Sequence, residues 1–292
     1  MSARDSYQHT SNAAVDGPRV PAAPRGWWRR TDLGRLRVSG RDAASFLHAL
    51  VTNDVEHLAV GRAVDAAYLT PQGRMITDMT ICRRADDLIV AVPAPLAASL
   101  ATRLDLLIFS EDVQIEDVSA ALDHITCVTG VFDAVEEQFL PAGAPVDGFD
   151  GGALLDAAAV EALRIDAGRA KWGVDMNEET IPLEAGLLDR AISQTKGCYV
   201  GQEVIVRVLH RGHGRVAKRL MRIVFDDDAR TVPAAGAPIV AAGEEVGRVT
   251  SAAFSPHRGR LVALGYVQRD HAVEGAAASI DGRAVVLAGF AT

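Results

Sequence analysis

Apolar side chains recur along this chain with two different periods, and the balance between them shifts near residue 216. Before that point helical and strand patterns alternate. Residues 33–38 read as a short strand, after which Ala43, Phe46, Leu47, Leu50 and Val51 follow the i, i+3, i+4, i+7, i+8 spacing of an amphipathic helix, with Asp42 or Ser39 as cap. Residues 63–69 and 74–83 flank the turn Thr70-Pro71-Gln72-Gly73 and predict a hairpin. Strands are expected at 88–92, 113–118 and 124–128, and helices at 95–107, 132–139 and 157–165. Pro182 near the first turn and Glu184 after it predict a helix over 183–192, and the alternation of 204–209 predicts an amphipathic strand. From 216 onward the chain is a series of short β-type runs separated by Gly, Pro and Asp, the pattern of a small barrel or sandwich. The expectation is an α+β fold with split β-α-β (ferredoxin-like) units over 27–215 and a C-terminal β-barrel over 216–292. Residues 1–26 are rich in Ser, Ala, Pro and Arg, and they read as a flexible tail with too little apolar surface to offset the entropy of ordering.

Composition narrows the function classes. A net charge of −8 provides no overall field for nucleic acid or an anionic membrane, so direct nucleic-acid binding is not expected. No apolar run approaches the ~20 residues that span a bilayer, the N-terminus lacks a signal-peptide core, and a cytoplasmic protein is expected. Three cysteines without a C-x-x-C pair argue against a disulfide framework, and they are too few for a cluster held by four thiolates of one chain. Neither G-x-G-x-x-G after a strand nor G-x-x-x-x-G-K-[ST] occurs, which disfavours dinucleotide and P-loop readings.

The chemistry gathers in Lys196-Gly197-Cys198-Tyr199-Val200-Gly201-Gln202-Glu203. Glycines on both sides of the thiol permit close approach or positive φ, and a lysine two residues away favours the thiolate. Cys82 and Cys127 lie in apolar runs and read as small buried hydrophobes. Asp78 is an acid in an otherwise apolar strand, so it is either a general base or ligand anchor, or a strand-end aspartate satisfied by a neighbouring backbone group or arginine. On a strand Glu203 and Arg207 would be roughly 13 Å apart, too far to pair. Arg211-Gly212-His213-Gly214-Arg215 is a cationic link, and Cys198, His210 and His213 match no familiar zinc-finger spacing. The residues alone thus give a thiol-bearing ligand site without naming the ligand.

The motif around Cys198 resembles the signature of the YgfZ family of folate-binding proteins, homologues of the glycine cleavage T-protein (aminomethyltransferase). Several segments extend the resemblance from about Trp27 to the C-terminus. They are Asp42 through Val55 with its Thr52-Asn53-Asp54, Tyr68-Leu69-Thr70-Pro71-Gln72-Gly73-Arg74, Arg164-Ile165-Asp166-Ala167-Gly168, Pro182-x-Glu184 and Gly247-x-Val249-Thr250-Ser251. The resemblance implies two interlocked α+β subdomains around a central folate site, followed by a β-barrel. It implies a tetrahydrofolate or one-carbon derivative as cofactor, and iron–sulfur enzymes, including tRNA-modifying ones, or their assembly machinery as partners. Cys198 falls on the family's functional cysteine, and Asp78 on the catalytic aspartate of the T-protein. Tyr68, Arg164, Asp166, Lys196, Tyr199, Gln202, Glu203 and Arg207 fall in or near the folate pocket. Asp166 stands one methylene short of the glutamate that contacts the pterin in T-proteins. Two activities follow as expectations: an accessory factor acting through Cys198, and a folate-dependent aminomethyltransferase acting through Asp78.

Overall fold

The computed structural model describes residues 5–9, 25–146, 152–212 and 214–292. They form two compact units. The first comprises residues 1–71, 75–154 and 190–202; the second comprises 72–74, 155–189 and 203–292. By this grouping residues 155–189 and 203–215 cluster with the barrel strands.

The first unit is built on one sheet. Its strands are β1 (Asp5–His9), β2 (Arg25–Arg29), β3 (Leu33–Ser39), β4 (Arg62–Leu69), β5 (Met75–Arg83), β6 (Asp87–Pro93), β7 (Gln114–Asp117), β8 (Leu122–Thr129), β9 (Ala134–Pro141) and β10 (Ala153–Leu154). They lie in the order β10-β2-β8-β9-β1-β4-β5-β6-β3-β7. Helices α1 (Ala43–Leu50) and α2 (Ala97–Asp105) supply Phe46, Leu47, Leu100 and Leu104 to a core with Leu36, Val64, Tyr68, Ile81 and Val90. The hairpin turns where expected, with Gly73 at φ 73°, a left-handed conformation that glycine adopts without steric cost. Asp42 occupies the N-cap position of α1, but its carboxylate accepts from the Asp112 N–H (2.9 Å) rather than from the helix.

Three expectations fail in this unit or at its margin. The helix expected at 132–139 is a turn followed by β9 (Ala134–Pro141), because the four-residue spacing of Val135 and Phe139 is shared by both periods and pairing with β8 decides between them. The segment expected as a tail contributes β1, which pairs with β9 on one side and β4 on the other, and also the first residues of β2. Backbone pairing, which composition does not report, recruits a polar pentapeptide here. Over 183–192 only Leu188–Ala191 (α4) is helical. Gly186 sits at φ 77°, and a Cβ there would meet the Ala291 carbonyl oxygen at 2.2 Å, so the chain turns rather than winds.

The second unit holds α3 (Ala157–Asp166), α5 (Gln202–Val206, from the last residue of the first unit) with a π-type turn over Arg207–Arg211, and a closed barrel. Its strands are β11 (Lys218–Phe225), β12 (Pro238–Ala241), β13 (Glu244–Ser255), β14 (Arg260–Gln268), β15 (Ala277–Ile280) and β16 (Arg283–Phe290), ordered β11-β14-β13-β12-β15-β16. Met221, Ile223, Phe225, Ile239, Val249, Leu261 and Leu287 fill it, and closure leaves no free edge. The strand expected at 204–209 is helical instead. β-branched residues suit strands, but here burial of Ile205 overrides that weak preference. No helix among the described residues is long and apolar enough to cross a membrane.

Candidate functional site

The first unit's site begins on the face of β4 and β5 turned away from the helix-covered core. Strand alternation and register, with Ala67 opposite Asp78 and Asp65 opposite Thr80, place these four residues together. Tyr68 points the other way, into the core with α1 and α2 near Arg103, so it does not share a face with Asp78. Asp65 is bound by Thr80 Oγ1 (2.8 Å) and by Arg190 Nη1 (3.0 Å). Asp78 has an Oδ1 shielded from solvent with no hydrogen-bond partner. Burial pushes its carboxyl up to about 6; Arg190 and Arg30 oppose the rise and Asp65 adds to it. No neighbouring arginine hydrogen-bonds Oδ1, although Arg190 and Arg30 act on the carboxyl electrostatically.

The segment Val51-Thr52-Asn53 explains how Arg190 arrives beside β4. Thr52 Oγ1 donates to the Ala191 carbonyl (2.6 Å) and accepts from the Ala67 N–H (2.8 Å). The Ser193 N–H donates to the Thr52 carbonyl (3.0 Å), and Asn53 Nδ2 donates to the carbonyls of Asp65 (2.8 Å) and Arg190 (3.2 Å). Four bonds from two side chains and one more from the backbone thus tie residues 190–193 to β4.

Lys196 has a related role. Its Nζ donates to the carbonyls of His48, Val51 (2.7 Å) and Asn53 (3.2 Å), which are acceptors in and beyond the last turn of α1. Burial lowers its ammonium to about 8, against Asp54 and Glu56. Three N–H groups meet three carbonyls, so the lysine anchors the loop and is not directed at the thiol as the sequence suggested. Tyr199 is buried, its hydroxyl pushed up to about 12, with Lys196 Nζ 5.2 Å from its ring centre. Between these two anchors Cys198 is exposed, while Cys82 and Cys127 are buried as expected. Gly201, at φ 82°, makes the turn into α5, and the Gln202 N–H donates to the Tyr199 carbonyl (3.2 Å). Gly197 needs neither positive φ nor close approach. Lys196→Met is expected to destabilise this unit by about 2–3 kcal/mol and to speed proteolytic cleavage within 196–202, read by thermal melts and limited proteolysis.

The remaining candidates lie in the second unit. Arg164 is buried, held by Glu161, by Asp175 (2.6 Å) and by the Arg169 carbonyl (2.6 Å). Asp166 is buried, its carboxylate engaged by Arg258 and by Ser255 Oγ (2.8 Å). Both act as internal struts between α3 and its neighbours, Asp166 through an ion pair with Arg258. Glu203 and Arg207 form an i, i+4 ion pair on the α5 turn, with side chains 82% and 59% exposed. A helix brings together what a strand would have held apart. Of the candidate residues, then, Tyr68, Asp78, Lys196, Cys198, Tyr199 and Gln202 belong to the first unit, and Arg164, Asp166, Glu203 and Arg207 to the second. His213 lies outside the described residues, among which no group of three His, Cys, Asp or Glu could hold a metal ion.

Three groups near Asp78 escaped sequence reasoning. Asp65 and Arg190 are two, and nothing in their local sequence marks them. The third is a buried set in which Glu137 accepts from His124 (2.8 Å) and Thr126 (2.7 Å), with Arg30 close enough to act electrostatically on both Glu137 and Asp78. Glu137 stands opposite Thr126 across β8 and β9, with His124 two residues away on the same strand face, a signal that alternation alone does not separate from a solvated face.

Comparison with known proteins agrees with this architecture. Residues 26–130 match the GCVT N-terminal domain, and residues 218–288 match the glycine cleavage T-protein C-terminal barrel domain. An aminomethyltransferase of Rubrobacter xylanophilus is 29% identical over 282 residues, covering 80% of this chain and 74% of that one. A putative chloroplastic transferase of Arabidopsis thaliana is 26% identical over 284 residues, covering 82% and 64%. The crystal structure of glycine cleavage system aminomethyltransferase T from Bartonella henselae shares the fold at TM-score 0.76 and 19% identity, covering 91% of this chain and 85% of that one. By its two matched domains, its closed C-terminal barrel and these relatives, the chain belongs to the superfamily of the glycine cleavage T-protein.

Proposed function

We propose that this chain binds tetrahydrofolate or a one-carbon derivative and serves iron–sulfur enzymes, including tRNA-modifying ones, or their assembly machinery through Cys198. One observation carries the reading: an exposed thiol is held between two anchors, the half-buried Lys196 and the buried Tyr199, in the same unit that carries the Asp78 carboxyl with its unpartnered Oδ1. A solvent-facing thiol on a tethered loop suits contact with a client protein or cluster, and glycine cleavage chemistry does not call for one. The fit to a folate rests on the donor and acceptor set. Asp78 Oδ1 and the Nε and Nη2 of Arg190 are buried without partners, and a polar heterocycle bearing both N–H donors and oxygen or nitrogen acceptors would satisfy them. When bound, the folate would supply one-carbon chemistry. Asp78 would hold its ring and, ionising near pH 6, accept or return a proton.

The second reading is a folate-dependent aminomethyltransferase, favoured by the poised carboxyl of Asp78 and by the names of the relatives. The two separate by experiment. Cys198→Ala is expected to bind tetrahydrofolate as the native chain does and to fail to restore iron–sulfur enzyme activity in a strain lacking this function. Full restoration would remove the thiol assignment. Formation of methylenetetrahydrofolate from an aminomethyl-loaded lipoyl carrier protein, lost in Asp78→Asn and kept in Cys198→Ala, would establish the transferase instead.

A further inference from the structure

The Arg190 guanidinium has two hydrogen-bonding edges with different fates. Nη1 is committed to Asp65 Oδ2 at 3.0 Å. Nε and Nη2, which share the other edge and point two N–H bonds in parallel, are shielded from solvent and bond to nothing. A parallel pair of N–H donors is the geometry that binds two adjacent acceptors side on. Leaving such donors buried and unpaired is costly, and Asp78 Oδ1 adds a third unpaired atom within electrostatic reach of the same guanidinium.

The arginine is not loosely placed. Its carbonyl accepts from Asn53 Nδ2 (3.2 Å), the next carbonyl accepts from Thr52 (2.6 Å), and its partner Asp65 is itself fixed by Thr80 (2.8 Å). The side chain keeps 19% of its surface exposed, so the group borders solvent while its fork faces inward. Satisfying the fork from within the protein would need only one carbonyl or carboxylate, and none is aimed at it.

We propose that Arg190 is a specificity-determining residue of this site. Its Nε/Nη2 edge binds a carbonyl or carboxylate oxygen of a planar ligand group, and Asp65 is the positioning residue that aims it. The inference rests on the folate reading for its first ligand: the 4-oxo oxygen of a reduced pterin can accept both N–H bonds, while the flanking ring N–H groups suit Asp78. A free carboxylate on a small amino-acid co-substrate presents the same oxygen-acceptor chemistry, and the experiment separates the sources.

The test measures binding calorimetrically for the native full-length chain, Arg190→Lys, Arg190→Gln and Asp65→Asn. The probes are tetrahydrofolate, its 4-amino analogue (a donor in place of the 4-oxo acceptor) and glycine. Arg190→Lys keeps the charge facing Asp65 but removes the fork, and melting curves verify that it folds. The native chain is expected to prefer tetrahydrofolate over the 4-amino analogue. Arg190→Lys should weaken tetrahydrofolate by about 10- to 100-fold and leave the analogue unchanged. Asp65→Asn should erode the same preference, a ratio that a general loss of structure would not move. Glycine binding that depends on Arg190, with tetrahydrofolate indifferent to it, would support the fork and assign it to a carboxylate. Native-like binding of all probes by Arg190→Lys would overturn the inference and leave the folate reading standing. Absence of tetrahydrofolate binding by the native chain would overturn the folate reading, and the fork with it unless glycine binds through Arg190.

Discussion

Asp78→Asn is expected to raise the stability of the unit that carries it at pH 8 while weakening tetrahydrofolate binding. In the folded chain burial pushes this carboxyl up to about 6, against about 3.9 unfolded. The folded state therefore holds the proton more tightly than the unfolded one, and stability is fullest below pH 4. It declines as the pH rises from 4 to 6 and stays reduced above. Two pKa units correspond to roughly 2–3 kcal/mol, which an uncharged amide of the same shape does not forfeit. The variant should melt about 4–10 °C higher than the native chain at pH 8 and indistinguishably from it near pH 4. Its affinity for tetrahydrofolate should fall by about 10- to 100-fold at pH 8, where the native carboxylate accepts a ring N–H. Identical melting at pH 8 would mean that Asp78 finds a partner in solution, and unchanged affinity would remove it from the site.

The largest loss of stability is expected at Asp175, a residue of the second unit. Its carboxylate is buried and accepts from Arg164 Nη1 (2.6 Å), the Lys171 N–H (3.0 Å), Thr250 Oγ1 (2.5 Å) and Ser251 Oγ (2.8 Å). Removing it leaves the buried Arg164 with one of its two carboxylate partners, strands the Ser251 hydroxyl and the Lys171 N–H, and leaves Thr250 Oγ1 with only the Leu264 carbonyl (3.2 Å). Asp175→Ala should cost about 3–5 kcal/mol, lowering the melting temperature by roughly 6–15 °C. Thr250→Val and Ser251→Ala should cost about 1 kcal/mol each, and a double-mutant cycle with Asp175 should show them to be strongly non-additive. A drop of under 1 kcal/mol for Asp175→Ala would show that the network is not a structural hub.

These residues also show where the sequence could be read and where it could not. The hairpin around Gly73, helix α1 and the barrel strands follow from spacing and turn chemistry, which act locally. Asp78 stood out because an acid in an apolar strand has few innocuous explanations. Arg164, Asp166, Thr250 and Ser251 were also conspicuous as motif residues. A polar group in a motif, however, looks the same whether it faces a ligand or a buried ion pair, and here the pairing is internal. Arg190 was illegible for the opposite reason. Its neighbours Leu188, Asp189 and Ala191 form an unremarkable helical turn, and its importance arises only from Asp65, 125 positions earlier. The helix at Gln202–Val206 was hidden by a β-branched run whose local preference tertiary burial overrides.

The interleaving of the two units sets an order on synthesis. A ribosome that has delivered residues up to 154 has supplied every strand of the first unit's sheet, yet neither Arg190, Lys196 nor Cys198. The sheet must then wait, with Asp65 lacking its arginine and α1 lacking its lysine, while the 35 residues of 155–189 emerge. Only after residue 202 does the first unit have all its parts, and only after the barrel strands does the second. The thiol motif is thus among the last pieces of the first unit to be made, and a nascent chain stalled before it would hold an incomplete first unit.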